Sequence, residues 1–444
     1  MSALADRLRG IIAPSPHRPA APALHVTEAG GGNAAEILGG EWRDDFLVVD
    51  RKYSPGYRHG RVAVADAAPP GEGWSRLGLL GGGDSRCLFL DLETTGLAGG
   101  AGTYAFLVGL AWFDGCSFRV RQFFLASYAA ERRLLEAVCN VASAMGTVVT
   151  FNGKSFDLPV LETRYVINRM ATPFSGMPHV DMLHPARRLW RGSLHGEIEA
   201  EEGARGPLQT WDRDGRPRRG GDESASLREG GCRLTVLEQA VCGHHREGDV
   251  PGFEIPARYF HYVRTGDAQK LAAVFEHNRL DLLSLALLTA RAAQLLEEGP
   301  AALRAVREAL GLGQLYERAG LHQDARAAFE RAASLPWADA VTRAEALRAL
   351  AVTCRRARDF EHAAVAWQAI LELRGCPSAI AREATEALAV HHEHRLRDPL
   401  SARTFALRSL RLPATAARRE SLEHRLARLD RKLAQSGAEV APLF

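Results

Sequence analysis

The chain has little net charge, few cysteines for its length and no long apolar run. The formal charge is +3, from 56 Lys and Arg against 53 Asp and Glu, which is too small to indicate a polyanionic partner by itself. The seven cysteines (Cys87, Cys116, Cys139, Cys232, Cys242, Cys354 and Cys376) are scattered, odd in number and contain no C-x-x-C. That argues against a disulfide framework and against a thiolate zinc site. Cys232, Cys242, His244 and His245 cluster but lack zinc-finger spacing. No stretch reaches about 18 apolar residues, and the N-terminus carries Arg7 and Arg9 without an apolar signal-peptide core. The expectation is a cytoplasmic, reduced protein with no membrane span. No G-x-x-x-x-G-K-[ST] occurs, so a polymerase-like or helicase enzyme finds no support.

A chain of 444 residues has room for two or three domains. Residues 1–80 read as an N-terminal arm, Pro-rich from Pro14 to Pro22, and a small poorly defined region. Phe46–Asp50 and Arg61–Val64 are candidate strands around the turn at Ser54-Pro55-Gly56. From 81 to 298 strands alternate with helices. Cys87–Leu90 is a buried strand, and Thr103–Phe113 turns at Asp114-Gly115 into Ser117–Leu125 as a hairpin. Ala130–Ala144 has helical spacing, Thr147–Phe151 is another strand, and a helix is expected to start near Leu158-Pro159. Together these predict an α/β domain with a mixed sheet flanked by helices. Residues 192–231, rich in Gly, Arg, Glu and Ser, read as a mobile insertion.

From 299 to 444 the pattern is wholly helical and repetitive. Leu312, Gly313, Tyr316, Gly320, Ala325, Phe329 and Ala332 fit the tetratricopeptide template, and weaker copies run through Ala363 and Ala402. Ala325, Ala363 and Ala402 stand 38 and 39 residues apart, above the usual ~34. The segment 418–433 reads as a cap on the stack.

Three acidic motifs carry the chemistry. Asp91 and Glu93 end the first buried strand, and residues two apart in a strand share a side. Two carboxylates this close repel each other unless a cation separates them, and a hard divalent ion fits that need. The second motif is Phe151-Asn152-Gly153-Lys154-Ser155-Phe156-Asp157, where Asp157 sits at a helix start. Asp157 is either a ligand or an N-cap. Asn152 is placed to position substrate or fix the loop, and Lys154 and Ser155 to touch a phosphate. The third motif puts His277 and Asp281 one helical turn apart on a face that also carries Leu285 and Leu288. A carboxylate on an inward face needs a partner, and a metal shared with Asp91 supplies one. Asp181 is an outer-shell group or a helix cap. Arg187, Arg188 and Arg191 with Trp190 suit a nucleic-acid backbone and a stacked base, or form an exposed basic helix face.

The ordered set Asp91-x-Glu93, Asp157, His277-x3-Asp281 resembles the DEDD superfamily of 3′–5′ exonucleases on a ribonuclease H-like fold. It is most similar to YprB-type ribonuclease H-like domain proteins, some of which carry C-terminal tetratricopeptide repeats. The resemblance spans about 87–290 for the nuclease and 300–410 for the repeats, with a less specific likeness around Leu38–Trp42. It implies a metal-dependent nuclease acting on DNA or RNA by a two-metal mechanism. Asp91, Glu93, Asp157 and Asp281 would hold two Mg²⁺ or Mn²⁺ ions, and His277 would be the general base. Thr94, Asn152, Lys154 and Ser155 would meet nucleic acid, and the repeats would dock a protein partner. Three residues separate His277 from Asp281 where His-type members have four, and the Asn152–Asp157 spacing is one residue longer than in most members. The alternative is an inactive nucleic-acid-binding or scaffold protein that uses its repeats to bind partners.

Overall fold

The computed structural model describes residues 34–70, 74–83, 86–96, 100–190, 232–336, 339–413 and 415–435. The insertion expected at 192–231, Arg191 and the segment before residue 34 lie outside the described residues.

A seven-stranded mixed sheet organises the first half. Its strands are β1 (Glu41–Arg43), β2 (Phe46–Tyr53), β5 (Cys87–Thr94), β6 (Ala105–Asp114), β7 (Ser117–Phe124), β8 (Thr147–Thr150) and β9 (His179–Asp181), in the order β1-β2-β7-β6-β5-β8-β9. β3 (Arg58–His59) and β4 (Val62–Ala63) form a separate two-stranded ladder. The continuous apolar run Cys87–Leu90 is fully covered, as suits a central strand with helices on both faces. β5 pairs antiparallel with β6 and parallel with β8, and β8 pairs parallel with β9. The β6–β7 hairpin closes from Asp114 to Ser117.

Two sequence expectations need correcting here. Residues 41–53 are part of this sheet, because β2 pairs with β7 from Leu47 to Tyr53. Phe46, Leu47 and Val49 bury against the core and cover what would otherwise be an open apolar edge at β7. The folded unit therefore starts ahead of residue 81. Arg61–Val64 does not form a strand with β2. Only Val62–Ala63 is extended, paired with Arg58–His59, and the chain turns helical at Val64.

Helices α1 (Glu131–Ala142), α2 (Asp157–Ile167), α3 (Leu183–Leu189), α4 (Ile255–Thr265) and α5 (Ala272–Glu298) flank the sheet. α1 buries Leu134, Leu135, Val138 and Ala142 along one face. α5 is apolar almost all round from Leu280 to Leu296, because it lies between the sheet and the helices that follow. Its approach to the sheet depends on Gly109 in β6, where a Cβ would stand 2.3 Å from Asn278 Oδ1. Any larger residue there would push the helix away.

Helices then pair in succession: α6 (Val306–Arg318) with α7 (His322–Ser334), α8 (Ala340–Arg356) with α9 (Phe360–Glu372), and α10 (Ser378–His391) with α11 (Pro399–Leu410). α12 (Ala416–Gln435) packs on α11. The three pairs coincide with the three sequence copies. The first pair is not separated from the sheet by a linker. One apolar cluster runs from Phe89 and Val149 through Leu282, Leu288 and Leu296 to Leu312, Tyr316 and Phe329. Trp190 is buried at this junction and its Nε1 donates to Glu308 Oε1 at 3.2 Å. It is packing and is not available to stack on a base.

Candidate metal centre

Asp91 and Glu93 leave the end of β5 on the face covered by α5. Asp91 pairs across the ladder with Gly109, and the register shifts between Glu93 and Thr94. Asp157 is the first residue of α2 and the N-cap position falls to Phe156, so the N-cap alternative finds no support. Asp281 and His277 lie one turn apart on α5, with His277 Nε2 3.6 Å from Asp281 Oδ2. The fold thus carries four carboxylates from three distant segments to one space.

Their electrostatics record the crowding. Burial first, then the charges of Asp281, Glu93 and Asp157, push Asp91 well above the usual carboxylate range. Burial, then Asp281, Asp157 and Asp249, do the same to Glu93. Burial, then Asp181 and Asp281, raise Asp157 to about 7. Bare carboxylates in such a place favour the protonated form, and a bound cation would remove that preference.

Several residues that no motif marked complete the centre. Asn278 is fully buried, and its Nδ2 donates to Asp91 Oδ2 at 2.7 Å while its Oδ1 accepts from Gln122 Nε2 at 2.8 Å. This pair of bonds aims Asp91. Asp249 accepts from His277 Nδ1 at 2.6 Å, which leaves Nε2 as the nitrogen able to take a proton. Burial would raise the Asp249 carboxyl, but the His277 bond and the charges of His277 and Arg246 hold it below the usual range. Arg246 donates to Asp281 Oδ1 at 2.5 Å, to Glu238 Oε2 at 2.6 Å and to Asp249 Oδ2 at 3.3 Å.

Asp181 combines the two roles the sequence left open. It accepts from the backbone N–H groups of Asn152 (2.7 Å) and Lys154 (3.2 Å), and also from Leu183 at the start of α3 (3.2 Å). It therefore fixes the loop that presents Asp157, including Asn152 in the left-handed region at φ +67°. Asn152, Lys154 and Ser155 have exposed side chains on this loop. Thr94 differs: it is buried and its hydroxyl donates to the Gly96 carbonyl. It serves the turn after β5.

Among the described residues, the one trio of metal-donor side chains with ligating atoms within 4.8 Å of one another is His59, Glu238 and His244. The four carboxylates are spread wider than that. Like charges without an ion stand apart, and Arg246 draws Asp281 to one side. In the trio, His59 and His244 stack with ring centroids 4.0 Å apart, so their nitrogens do not point in-plane at a shared centre. Glu238 already accepts from His59, Ser284 and Arg246. Glu238 is fully engaged by these bonds, while His59 Nδ1 is buried without a hydrogen-bond partner among the described residues.

A family model described as RNase_H superfamily matches residues 88–206 and 222–293, the stretch that builds β5 to α5 and supplies all four carboxylates. The matched residues are similar to the ribonuclease H superfamily. The chain is also similar to the uncharacterized protein YprB of Bacillus subtilis (strain 168), 29% identical over 252 residues. That match covers 55% of this chain and 52% of YprB, so the chain spans about half of that relative's length. Among the described residues, no helix is long and apolar enough to cross a membrane.

Proposed function

We propose that the protein is a metal-dependent phosphodiesterase, a 3′–5′ exonuclease of DNA or RNA. The observation that carries this reading is the convergence of Asp91, Glu93, Asp157 and Asp281, in which Asp281 and Asp157 lie near enough to Asp91 and Glu93 to help raise both, and Asp281 near enough to Asp157 to help raise it. Four hard oxygen donors gathered in one space suit two Mg²⁺ or Mn²⁺ ions. When bound, such ions supply Lewis-acid charge that activates a water and steadies the leaving oxygen of a phosphodiester.

The chain's own groups would do the rest. Asn278 aims Asp91, and Asp181 braces the loop that presents Asp157. His277, held through Nδ1 by Asp249, takes the proton of the attacking water at Nε2. The exposed Asn152, Lys154 and Ser155 offer donors to the substrate backbone. Residues from about 41 to 298 would form the nuclease unit, and the helical repeats from 299 onward would dock a protein partner.

The test is hydrolysis of end-labelled DNA and RNA by purified protein with Mg²⁺ or Mn²⁺, beside Asp91→Ala and Asp281→Ala. Stepwise shortening from the 3′ end, lost in both variants and in EDTA, is the expected result. No cleavage of any substrate would favour the inactive binding or scaffold reading. Cleavage that survives in both variants would remove these residues from the site.

A further inference from the structure

Arg246 belongs to no motif, yet its guanidinium lies against the carboxylate cluster with its side chain 5% exposed. One side faces Asp281 and Asp249. The other is bound to Glu238, whose side chain is fully buried. Glu238 is held in turn: its Oε1 accepts from His59 Nε2 at 2.7 Å and from Ser284 Oγ at 2.6 Å. Ser284 lies three residues beyond Asp281 on α5, so the anchor and the carboxylate share one helix. The His59 ring is fixed by its stack on His244. Glu238 opens a five-residue π-helical turn, Glu238–Cys242, a local irregularity often found at functional sites.

We infer that Arg246 is a built-in counter-cation of the metal centre, a positioning residue anchored by Glu238 that holds Asp281 ready and competes with the incoming ion for it. This rests on the metal-centre reading given above. A charge-assisted bond to a nearly buried carboxylate is strong and directional. A divalent ion that takes Asp281 Oδ1 must weaken that bond. Glu238 makes the exchange possible, because the guanidinium keeps a buried charge partner when Asp281 turns away. Without Glu238, Arg246 would lean wholly on Asp281 and Asp249. Without Arg246, Asp281 would be free for the ion but unaligned.

The arrangement makes changes of opposite sign, which general structural damage would not do. Mn²⁺ titration of the full-length protein by calorimetry provides the readout. Arg246→Gln should lower the Mn²⁺ dissociation constant about tenfold, as expected for losing one charged hydrogen bond that opposes binding. The same variant should cleave more slowly at saturating Mn²⁺. Glu238→Gln should raise the dissociation constant, and should have no effect when added to Arg246→Gln. Arg246→Lys, which keeps the charge, should stay within about threefold of wild type, and melting curves confirm that each variant is folded. Mn²⁺ binding that is unchanged or weakened in Arg246→Gln overturns the counter-cation role. If Arg246→Gln does not fold, independent effects of Glu238→Gln and Arg246→Lys in a double-mutant cycle overturn it. A wild-type protein that binds no Mn²⁺ instead overturns the metal centre itself.

Discussion

Replacing Asp157 with Asn should stabilise the metal-free protein. Asp157 is only 6% exposed and its carboxyl is held at about 7 instead of an ordinary 3.8. At ~1.4 kcal/mol per tenfold change in acidity, ionising it in the fold costs roughly 4 kcal/mol more than in the unfolded chain. One effect opposes this: an anion in the first turn of α2 gains about 0.3–1 kcal/mol from the helix dipole. The penalty is several times larger, so its removal dominates. The direction with pH follows from linkage. The folded protein holds a proton that the unfolded chain has released between pH 3.8 and about 7. The contribution to stability is therefore fully present below 3.8 and is lost as the pH rises through about 7. Urea unfolding followed by circular dichroism in EDTA should show Asp157→Asn about 2–4 kcal/mol more stable than wild type at pH 8, with the gap shrinking toward pH 5. Mn²⁺ should stabilise the wild type and close the gap. Binding near pH 6.5 should also release protons, seen as a buffer-dependent heat in calorimetry. A variant equal to or less stable than wild type in EDTA at pH 8 would refute the reasoning, because Asp157 would then not be a strained anion.

Asn278→Leu should destabilise the fold by about 1–3 kcal/mol, since it removes the Oδ1 acceptor of the buried Gln122 amide and leaves that amide only its bond to the Phe275 carbonyl; it should also abolish cleavage by releasing Asp91, checked by unfolding and activity together. Asp249→Asn should lower the cleavage rate roughly 10²-fold at saturating substrate and alter the pH profile, as His277 loses the partner that sets its tautomer. An unchanged pH–rate curve would remove His277 from the base role. A chain ended at residue 298 should aggregate or melt well below the full protein, because Leu288, Leu295 and Leu296 would lose their cover; gel filtration and melting of the truncated protein check this.

The sequence marked the four converging carboxylates because each motif is local. A D-x-E at a strand end, an Asp at a helix start and an His-x3-Asp pair on a helix each fix the direction of a side chain through the period of one element. Asn278 was within reach of the same logic. It is a polar residue beside His277 in an apolar run, and burial there requires a partner. Arg246 and Asp249 were not legible, since they lie in the irregular stretch between Cys242 and Ile255 where no period points a side chain. Their role depends on where tertiary packing lays that stretch against α5. The strand at 46–53 was read as an element, but its place was not, because joining β7 is a pairing between segments some 70 residues apart.

The junction with the helical pairs shows how local signals mislead about domains. The repeat template begins near Leu312, and the change of pattern reads as a boundary. Yet α6 is pressed onto α3 so closely that a Cβ on Gly311 would stand 2.3 Å from the Arg188 carbonyl oxygen. Tyr316 sends its hydroxyl to the Leu296 carbonyl at 3.2 Å. α5 therefore has two duties: its first turns present His277, Asn278 and Asp281 to the carboxylate cluster, and its last turns form the wall on which the first helix pair is built. A helix committed at both ends cannot tilt to suit one without disturbing the other. Arg246 on one side and Asn278 on the other fix its register at the centre.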